Sequence, residues 1–331
     1  MIWVQFAATA LVIVLAGMRL ARYGDILGEK SGWGRSWIGL VLLAATTSLP
    51  ELFTGFGATA LATLPDIAVG DVLGSCMFNL LILSLMDAIQ PEPLSTRAHQ
   101  GHALSIGFGL VLVGIAGLAL AAGGTLPRLG WIGAFSPLLI AVYFVAMRVI
   151  FTHERHRRAR EVREVAEQLQ YADVPLRTAV VQYAVAGVVV VAASLWLPRL
   201  GAELAHQTGL GEAFVGNLFV AITTSLPEIA VSVAAVRIGA LDLGVGNVLG
   251  SNLFNLLILG LDDLWYRQGA LLADVGPVHG VAVLAVATMN GLFLVGLTYR
   301  VMTKRFVVAW DTGAIAAVYA AAVTMSYLMT R

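Results

Sequence analysis

Ten apolar runs, each about as long as a membrane-spanning helix, follow one another along the chain. A helix needs roughly 20 apolar residues to cross the hydrocarbon core of a bilayer, so 331 residues leave room for about ten spans with short loops. The pattern therefore predicts an all-α integral membrane protein with ten transmembrane helices. The apolar runs lie at residues 2–20, 36–61, 66–88, 103–122, 129–151, 177–197, 210–236, 240–261, 276–298 and 307–328.

The longest polar segment separates the first five runs from the last five. It contains the Arg- and Glu-rich stretch HERHRRAREVREVAEQLQ, which is typical of a short surface helix. We therefore expect a first five-helix repeat at 1–152, a cytoplasmic linker at 153–176 and a second five-helix repeat at 177–331. Because each repeat has an odd number of spans, the second crosses the membrane in the opposite sense to the first, as in the inverted repeats of secondary transporters.

The basic residues predict how the helices are oriented in the membrane. When successive loops are assigned alternately to the two sides, sixteen of the 20 Lys and Arg residues fall on the side of the linker. The opposite side has only four, namely Arg128, Arg199, Arg267 and Arg331. Because Lys and Arg accumulate in cytoplasmic loops, both termini are expected outside the cytoplasm. The uneven distribution of basic residues and the lack of sorting signals indicate a multi-pass protein of a prokaryotic cell inner membrane.

The overall composition agrees with a membrane environment. Hydrophobic residues make up 59% of the chain and charged residues only 12%, against about a quarter charged in soluble domains. The 20 basic and 20 acidic residues cancel, and no nucleic-acid partner is expected. The single cysteine, Cys76, excludes an intramolecular disulfide and is expected to be a small core residue. No basic segment precedes the apolar run from Val4 to Gly17, so this run is expected to be the first span and not a signal peptide.

A polar motif inside the second apolar run recurs inside the seventh. The segment TTSLPE occupies Thr46–Glu51 and returns 177 residues later at Thr223–Glu228. The segments LGS and FNLLIL, at 73–75 and 78–83, return 176 residues later. Thr, Ser, Pro, Glu and Asn are scarce in lipid-facing sequence, so chance does not explain the match. The chain therefore contains two copies of one unit.

The proline of each TTSLPE segment predicts a broken helix. Proline has no N–H and crowds the carbonyl four residues earlier, so Pro50 and Pro227 are expected to interrupt spans two and seven. Backbone carbonyls freed in this way can line a cavity near the middle of the membrane. The alternative is a simple kink, in which Thr and Ser hydroxyls satisfy the backbone.

The glutamate of each TTSLPE segment is the strongest single signal of function. An acidic side chain at the centre of a span costs about 2.5–3.5 kcal/mol on insertion scales measured for Asp, so Glu51 and Glu228 need compensation. The repeated segments contain no Lys or Arg. The candidate partners are bound cations, protons and the hydroxyls of Thr47, Ser48, Thr224 and Ser225. A structural pair of protonated glutamates is the alternative.

The helix that follows each broken helix carries a polar stripe. Positions four residues apart share one helix face. We expect the stripes to face the broken helices, with Ser and Asn either binding a cation or joining helices by hydrogen bonds. Oxygen-only ligands of this kind suit Ca²⁺ and Na⁺ better than zinc or copper. The stripes are Asp71, Ser75 and Asn79, and Asn247, Ser251 and Asn255. GxxxG glycines that permit close helix packing lie beside them, at Gly70, Gly74, Gly246 and Gly250.

Other chemical sites are not indicated. Five histidines fall in predicted loops or span ends, His279 stands alone at the start of the ninth span, and none is expected to bind a metal. The sequence contains no GxxxxGK[ST], HExxH or GxSxG motif. We therefore expect neither an enzyme nor an ATP-driven pump, no cofactor, and transport driven by an ion gradient. The five histidines are His99, His102, His153, His156 and His206.

These motifs resemble the two alpha repeats of the sodium/calcium exchangers in the cation/calcium antiporter superfamily, which carry GTSxPE followed by a GNxxGSNxxN-like segment. The resemblance covers both repeats and implies a site at mid-membrane that opens alternately to each side. It implies acidic ligands at Glu51 and Glu228 and amide ligands at Asn79 and Asn255. It implies hydroxyl ligands at Thr47, Ser48, Ser75, Thr224, Ser225 and Ser251. Backbone carbonyls at Ala44 and Ala221 complete the implied set.

Three positions depart from the family pattern. Thr46 and Thr223 stand where the family commonly has Gly, which changes how closely the broken helices can approach each other. Asn255 stands where some exchangers have Asp, so the two glutamates alone balance the charge of one Ca²⁺. Asp71 corresponds to Asn247 in the second repeat and is a third carboxylate ligand, a proton site or a helix-packing residue.

The resemblance and the residues together predict a secondary active antiporter that exchanges Ca²⁺ for Na⁺ by alternating access. Its partners are inorganic cations and the lipid bilayer. A proton/calcium antiporter or a potassium-dependent antiporter is the nearest alternative, because the same oxygen ligands accept H⁺ or K⁺. A gated cation channel and a non-transporting receptor or scaffold are more distant alternatives.

Overall fold

Eleven helices of eight residues or more form the described part of the computed structural model. The structure describes residues 2–31, 33, 35–164, 171, 173–208, 222, 224–304 and 307–329. Short helical turns also occur at Arg35–Trp37, Leu94–Arg97, Gly123–Thr125 and Leu271–Ala273. The helices are α1 (Ile2–Lys30), α2 (Ile38–Thr47), α3 (Leu49–Ala62), α4 (Pro65–Ala88), α5 (His102–Ala122), α6 (Phe135–Glu164), α7 (Leu176–Thr208), α8 (Leu226–Arg237), α9 (Leu241–Trp265), α10 (His279–Tyr299) and α11 (Trp310–Met329).

The helix lengths agree with an integral membrane protein. In the described residues, eight helices are long and apolar enough to cross a membrane, and the bent pair α2 and α3 makes a ninth candidate span. Many large apolar side chains on the outer helices are exposed, such as Leu118 and Leu284, which suits contact with lipid. The predicted seventh span begins at residue 210, and residues 209–221 lie outside the described residues. The ten-helix count therefore stays a prediction.

Helices α4 and α9 lie at the centre of the fold. The most apolar 18-residue window of α4 is 78% buried and that of α9 is 94% buried, against 17–50% for the other spanning helices. The two helices contact each other where the Asn252 side chain donates to the Cys76 carbonyl at 3.2 Å. The Cys76 thiol in turn donates to the Asn252 carbonyl at 3.9 Å, and Cys76 is buried, as expected of a core residue. The central helices are those that carry the two polar stripes.

Helix α1 packs against α7 and α8. A Cβ atom at Gly17 would lie 2.9 Å from the Cβ of Ala230, so the glycine allows α1 to approach α8 closely. Apolar side chains of these helices form a second core, which includes Leu20, Ala186 and Val231.

Several predicted boundaries are wrong. The first helix continues from Ile2 to Lys30 instead of ending at residue 20, since no proline interrupts its polar end. The fifth helix begins at Phe135 and not at 129, because a two-stranded hairpin, β1 (Arg128–Leu129) and β2 (Ile132–Gly133), occupies the preceding residues. The polar residues 153–164 are no separate surface helix. They continue α6, which carries its charged residues beyond the apolar part.

Two buried aspartates, 176 residues apart, accept hydrogen bonds from the starts of helices that are distant in sequence. Asp87 Oδ2 accepts hydrogen bonds from the Ala309 amide and the Thr312 hydroxyl, both at 2.7 Å, at the start of α11. Asp263 Oδ2 accepts from the Gly133 amide at 2.8 Å and the Ser136 hydroxyl at 2.5 Å, at the start of α6. The sequence analysis did not single out either aspartate, because their partners are distant in sequence.

Replacing Asp263 by Ala is expected to lower the free energy of unfolding by roughly 2–4 kcal/mol, because buried amides and a hydroxyl lose a charged acceptor. The Leu271 amide, which donates to Asp263 Oδ1 at 2.6 Å, also loses its partner. The thermal unfolding of the detergent-solubilised protein measures the effect. Asp173→Ala, at an exposed position, is the matched control. Equal melting temperatures for the two variants would contradict the assigned role.

Two histidines form pairs with aspartates across the fold. His279 Nε2 lies 2.9 Å from Asp66 Oδ1, and His102 Nε2 lies 3.0 Å from Asp242 Oδ1. The prediction that His279 stands alone is therefore wrong, because the start of α4 packs beside the start of α10. Each pair joins the first turns of two helices that belong to different halves of the chain.

Candidate functional site

The second predicted span is broken at Ser48, as its sequence predicts. Helix α2 ends at Thr47, Ser48 has φ −91° and ψ 9°, and α3 starts at Leu49 with Pro50 in its first turn. The two helices are bent by 42° relative to each other. Pro50 lacks the N–H that a residue in the middle of a helix needs for its hydrogen bond, so it interrupts the helix. In the first turn of a helix the N–H groups have no partner within the helix, so proline is tolerated there. The break therefore places a new helix N-terminus inside the membrane-spanning region.

The second copy of the motif has the same local structure where it is described. Ser225 has φ −83° and ψ 7°, and α8 begins at Leu226 with Pro227 in its first turn. Thr223 and Ala221 lie outside the described residues. The expected break in span seven is therefore described on one side only.

The two glutamates lie in the first turns of α3 and α8 and have no exposed surface. Each accepts a hydrogen bond from the serine of the other motif copy. Ser48 Oγ donates to Glu228 Oε1 at 3.1 Å, and Ser225 Oγ donates to Glu51 Oε1 at 3.4 Å. A helix N-terminus carries a partial positive charge that favours a nearby carboxylate. The two motifs are thus joined directly, each through the other's glutamate.

The polar stripes of α4 and α9 face the broken helices. Thr47 Oγ1 lies 3.3 Å from Asn247 Oδ1 and 3.4 Å from Ser251 Oγ. In the matching positions, Thr224 Oγ1 lies 3.2 Å from Asp71 Oδ1 and 3.4 Å from Ser75 Oγ. All these side chains are buried.

Further bonds hold individual members of this group. Ser251 Oγ also donates to Glu228 Oε1 at 3.3 Å. The Ser232 hydroxyl, which the sequence analysis did not identify, accepts from Asn247 Nδ2 at 3.1 Å and so leaves Asn247 Oδ1 facing Thr47. The recurrence of Ser or Thr beside each acid is a signal that could have predicted such bonds, but Ser232 has no counterpart in the repeated motif.

Several polar atoms in the centre have no hydrogen-bond partner among the described residues. They include one carboxylate oxygen of each glutamate, Glu51 Oε2 and Glu228 Oε2, and also Asp71 Oδ2. The side-chain amide atoms of Asn79 and Asn255 are likewise buried without a partner. Buried polar atoms are almost always paired, so the unpaired oxygen atoms of this group call for a partner such as a cation or a proton. A cation meets that requirement.

The remaining predicted positions differ in their surroundings. The Ala44 carbonyl accepts from the Ser48 amide at 3.0 Å and the Thr47 hydroxyl at 3.3 Å, directly at the break. The Thr46 side chain donates to the Leu42 carbonyl at 2.7 Å and lies 3.3 Å from the Tyr183 hydroxyl of α7. The extra atoms of Thr46 relative to Gly therefore contact α7.

The site combines three buried carboxylates with neutral oxygen atoms. Within the described residues, no group of three or more His, Cys, Asp or Glu side chains has the geometry to hold a metal ion. The arrangement consists instead of hydroxyls and amides around Glu51, Glu228 and Asp71. Carboxylate, hydroxyl and amide oxygens of this kind are ligands that hard cations such as Na⁺ and Ca²⁺ accept.

Close packing of α2 against α9 holds the two sides of the site together. A Cβ atom at Gly250 would lie 2.1 Å from the Leu40 carbonyl oxygen, and one at Gly246 would lie 2.7 Å from the Ser36 carbonyl oxygen. A Cβ at Gly39 of α2 would lie 2.3 Å from the Leu243 carbonyl oxygen. The glycines therefore let the backbones touch directly, and Thr47 reaches the stripe on α9.

Comparison with known proteins assigns a family to both halves of the chain. The family described as "Sodium/calcium exchanger protein" matches residues 1–151 and 178–328. The "Inner membrane protein YrbG" of Escherichia coli is 30% identical over 261 residues, which cover 77% of each protein. The "Sodium/calcium exchanger MaX1" of Methanosarcina acetivorans is 46% identical over 63 residues, which cover 19% of this chain and 18% of MaX1.

The fold also matches a solved transporter structure. A structure of the sodium-calcium exchanger NCX_Mj, soaked with 2.5 mM Na⁺ and 1 mM Sr²⁺, superposes with a TM-score of 0.74. It covers 97% of this chain and 96% of that chain at 21% sequence identity. The likeness at this identity establishes the fold.

Proposed function

Because the chain belongs to the sodium/calcium exchanger family, we propose that this cation antiporter exchanges Ca²⁺ for Na⁺ at the site between the two TTSLPE motifs. The observation that carries the proposal is the buried group of oxygen atoms without partners, centred on Glu51 and Glu228. Two carboxylates balance the charge of one Ca²⁺. Hydroxyl and amide oxygens add the neutral ligands that Ca²⁺ and Na⁺ both accept.

The proposed ligand set combines both repeats. Glu51 and Glu228 supply the charge, and Asn79 and Asn255 supply amide oxygens from α4 and α9. The backbone carbonyls of Ala44 and Ala221 belong to the set through the family resemblance. The hydroxyl ligands are Thr47, Ser48, Ser75, Thr224, Ser225 and Ser251.

The contacts in the site support inverted repeats. Ser48 contacts Glu228 while its counterpart Ser225 contacts Glu51, and the two threonines contact the opposite stripes in the same reciprocal way. A contact and its exchanged copy occur together when two units are related by a two-fold axis. We place this axis in the membrane plane, which gives ten helices in two inverted halves with both termini outside the cytoplasm.

The mechanism follows from the charge of the site. Glu51 and Glu228 lie in a low-dielectric region, where two uncompensated negative charges cannot cross the barrier between the inward-open and outward-open states. Ca²⁺ or Na⁺ neutralises them and permits the transition. Because the empty site moves poorly, the release of one ion on one side must be followed by the binding of another. Exchange, and not uniport, results.

The experiment that tests this function is Ca²⁺ uptake into liposomes that contain the purified protein. Liposomes loaded with Na⁺ and diluted into Na⁺-free buffer should accumulate Ca²⁺, and liposomes loaded with K⁺ should not. Uptake without any counter-ion gradient would indicate a channel. The absence of Ca²⁺ uptake under every gradient would refute Ca²⁺ as the substrate.

The second candidate function is a proton/calcium or potassium-dependent antiporter, and Asp71 is the residue that favours it. It adds a third buried carboxylate to the site, and its Oδ2 has no partner among the described residues. The second repeat has Asn247 in the same place. A third negative charge in a site that holds Ca²⁺ calls for a further monovalent cation such as H⁺ or K⁺.

Replacing Asp71 by Asn separates the two candidates. We expect Na⁺-driven Ca²⁺ uptake to change by no more than about threefold, equivalent to less than 1 kcal/mol, since Asn serves at the matching position of the second repeat. Any uptake that an acidic interior drives should disappear. Uptake assays with Na⁺-loaded and acid-loaded liposomes measure both. Loss of the Na⁺-driven uptake would instead make Asp71 an essential ligand.

A further inference from the structure

A buried carboxylate whose two oxygens both lack partners among the described residues lies outside the central site, at Asp262 of α9. It has no exposed surface. Asp262 follows Asn255 by seven residues, so it lies two turns further along the same face of α9. Its counterpart in the first repeat is Met86, so the duplicated motif does not account for it.

Asp262 is located beside the helix that carries Glu51. A Cβ atom at Gly55 of α3 would lie 2.4 Å from Asp262 Oδ1 and 2.5 Å from Asp262 Oδ2. Gly55 is one helical turn beyond Glu51, so the carboxylate occupies space that any larger residue at this position would fill. The carboxylate therefore lies next to the central site without being part of it.

A surface cavity begins one turn further along the same helix. The Thr59 hydroxyl donates to the Gly55 carbonyl at 2.8 Å, and Thr59 is only 3% exposed. Thr59 lines a cavity of about 260 Å³ whose walls also include Thr63, Trp265 and Gln268. One face of α3 thus leads from the central site to the cavity, through Glu51, Gly55 and Thr59 at intervals of four residues. Asp262 lies beside Gly55.

We propose that Asp262 binds Na⁺ between this cavity and the central site, a step that rests on the proposed Na⁺/Ca²⁺ exchange. One carboxylate balances one monovalent cation, whereas Ca²⁺ would keep an uncompensated positive charge in a buried position. The site would hold Na⁺ on its way to or from the glutamates. Arg267 at the cavity is held over the Trp131 ring, 5.2 Å from its centre.

The Na⁺ dependence of thermal stability in detergent tests this site directly. The purified protein is melted at increasing NaCl, with choline chloride keeping the ionic strength constant, because a ligand that binds the folded state raises the melting temperature. Asp262→Asn should raise the half-saturating Na⁺ concentration by roughly tenfold, since it removes the charged ligand. Stabilisation by Ca²⁺ should stay unchanged. Gly55→Ala should reproduce the Na⁺ effect because its methyl group displaces the carboxylate.

The matched control is Asp311→Asn. Asp311 is also buried, but it lies at the start of α11, where the Ser95 hydroxyl and the first backbone amides of the helix interact with its carboxylate. Its replacement should leave the Na⁺ response as in the wild type. If Asp262→Asn responds to Na⁺ like the wild type, the proposal is overturned. It is also overturned if acid alone, without Na⁺, stabilises the wild type and Asp311→Asn but not Asp262→Asn, because Asp262 would then bind a proton.

This design separates the new site from the proposed exchange. If the wild-type protein neither binds nor transports Ca²⁺, the exchange proposal fails, while the Na⁺ response and its loss in Asp262→Asn still report on the Asp262 site. If Ca²⁺ exchange occurs and the Na⁺ response is the same in both proteins, only the Asp262 proposal fails.

Discussion

Replacing Glu228 by Gln is expected to reduce Na⁺-driven Ca²⁺ uptake by roughly 100-fold or more, since losing one partner of a buried charge pair costs about 3–5 kcal/mol. Glu228 Oε1 accepts from Ser48 and Ser251, and its Oε2 has no partner among the described residues. Gln keeps the size of the side chain and removes its charge. One remaining carboxylate then faces a divalent cation in a low-dielectric site.

Glu51→Gln should have the same effect, because Glu51 makes the reciprocal contact with Ser225. Uptake into liposomes loaded with Na⁺ measures both variants. Glu92→Gln is the control, since Glu92 is exposed and forms a surface ion pair with Arg97 at 3.8 Å. Wild-type uptake by either Glu51→Gln or Glu228→Gln would show that the glutamates are structural and would place the substrate elsewhere.

The second large effect is expected at Gly250. A Cβ atom there would lie 2.1 Å from the Leu40 carbonyl oxygen, so Gly250→Ala must push α9 away from α2. Overpacking of a well-packed interior costs roughly 1–3 kcal/mol or more, and here the atom in contact is backbone and cannot rotate away. The shift also separates Thr47 from Ser251, now 3.4 Å apart. We expect a lower melting temperature and uptake reduced by roughly tenfold or more.

Gly291→Ala is the matched control for this prediction. Gly291 also lies within a spanning helix, but a Cβ atom there would have no neighbour within 4 Å. Alanine favours the helix by about 0.8–1 kcal/mol relative to glycine, so this variant should be as stable as the wild type or more stable. If both alanine variants melt and transport alike, the contact between α2 and α9 does not hold the site.

The sequence predicted the break at Ser48 and the polar side chains that lie beside it because these signals are local. A proline breaks a helix wherever it stands in the interior, so the break at Ser48 followed from Pro50 alone. Acidic residues in an apolar span are costly, which singled out Glu51 and Glu228. Helical spacing placed Ser251 and Asn255 on one face of α9, and the structure brings that face to the broken helix.

The features that the sequence did not predict depend on contacts between distant residues. Asp263 fastens the β hairpin and the start of α6, and no local pattern indicates such partners. Residues 129–133 of the hairpin were assigned to a span because they are mostly apolar. Asp262 was overlooked for the opposite reason: its two-turn spacing from Asn255 is visible in the sequence, but its significance depends on Gly55, which packs against it from another helix.

Equilibrium binding of radiolabelled Ca²⁺ to the purified protein, with Na⁺ as competitor, tests the central claim most directly. We predict that the wild-type protein binds Ca²⁺, that Na⁺ displaces it while choline does not, and that Glu51→Gln and Glu228→Gln abolish binding. Ca²⁺ binding that Na⁺ leaves unchanged, or that persists in both glutamine variants, would contradict a shared Na⁺ and Ca²⁺ site between the two motifs.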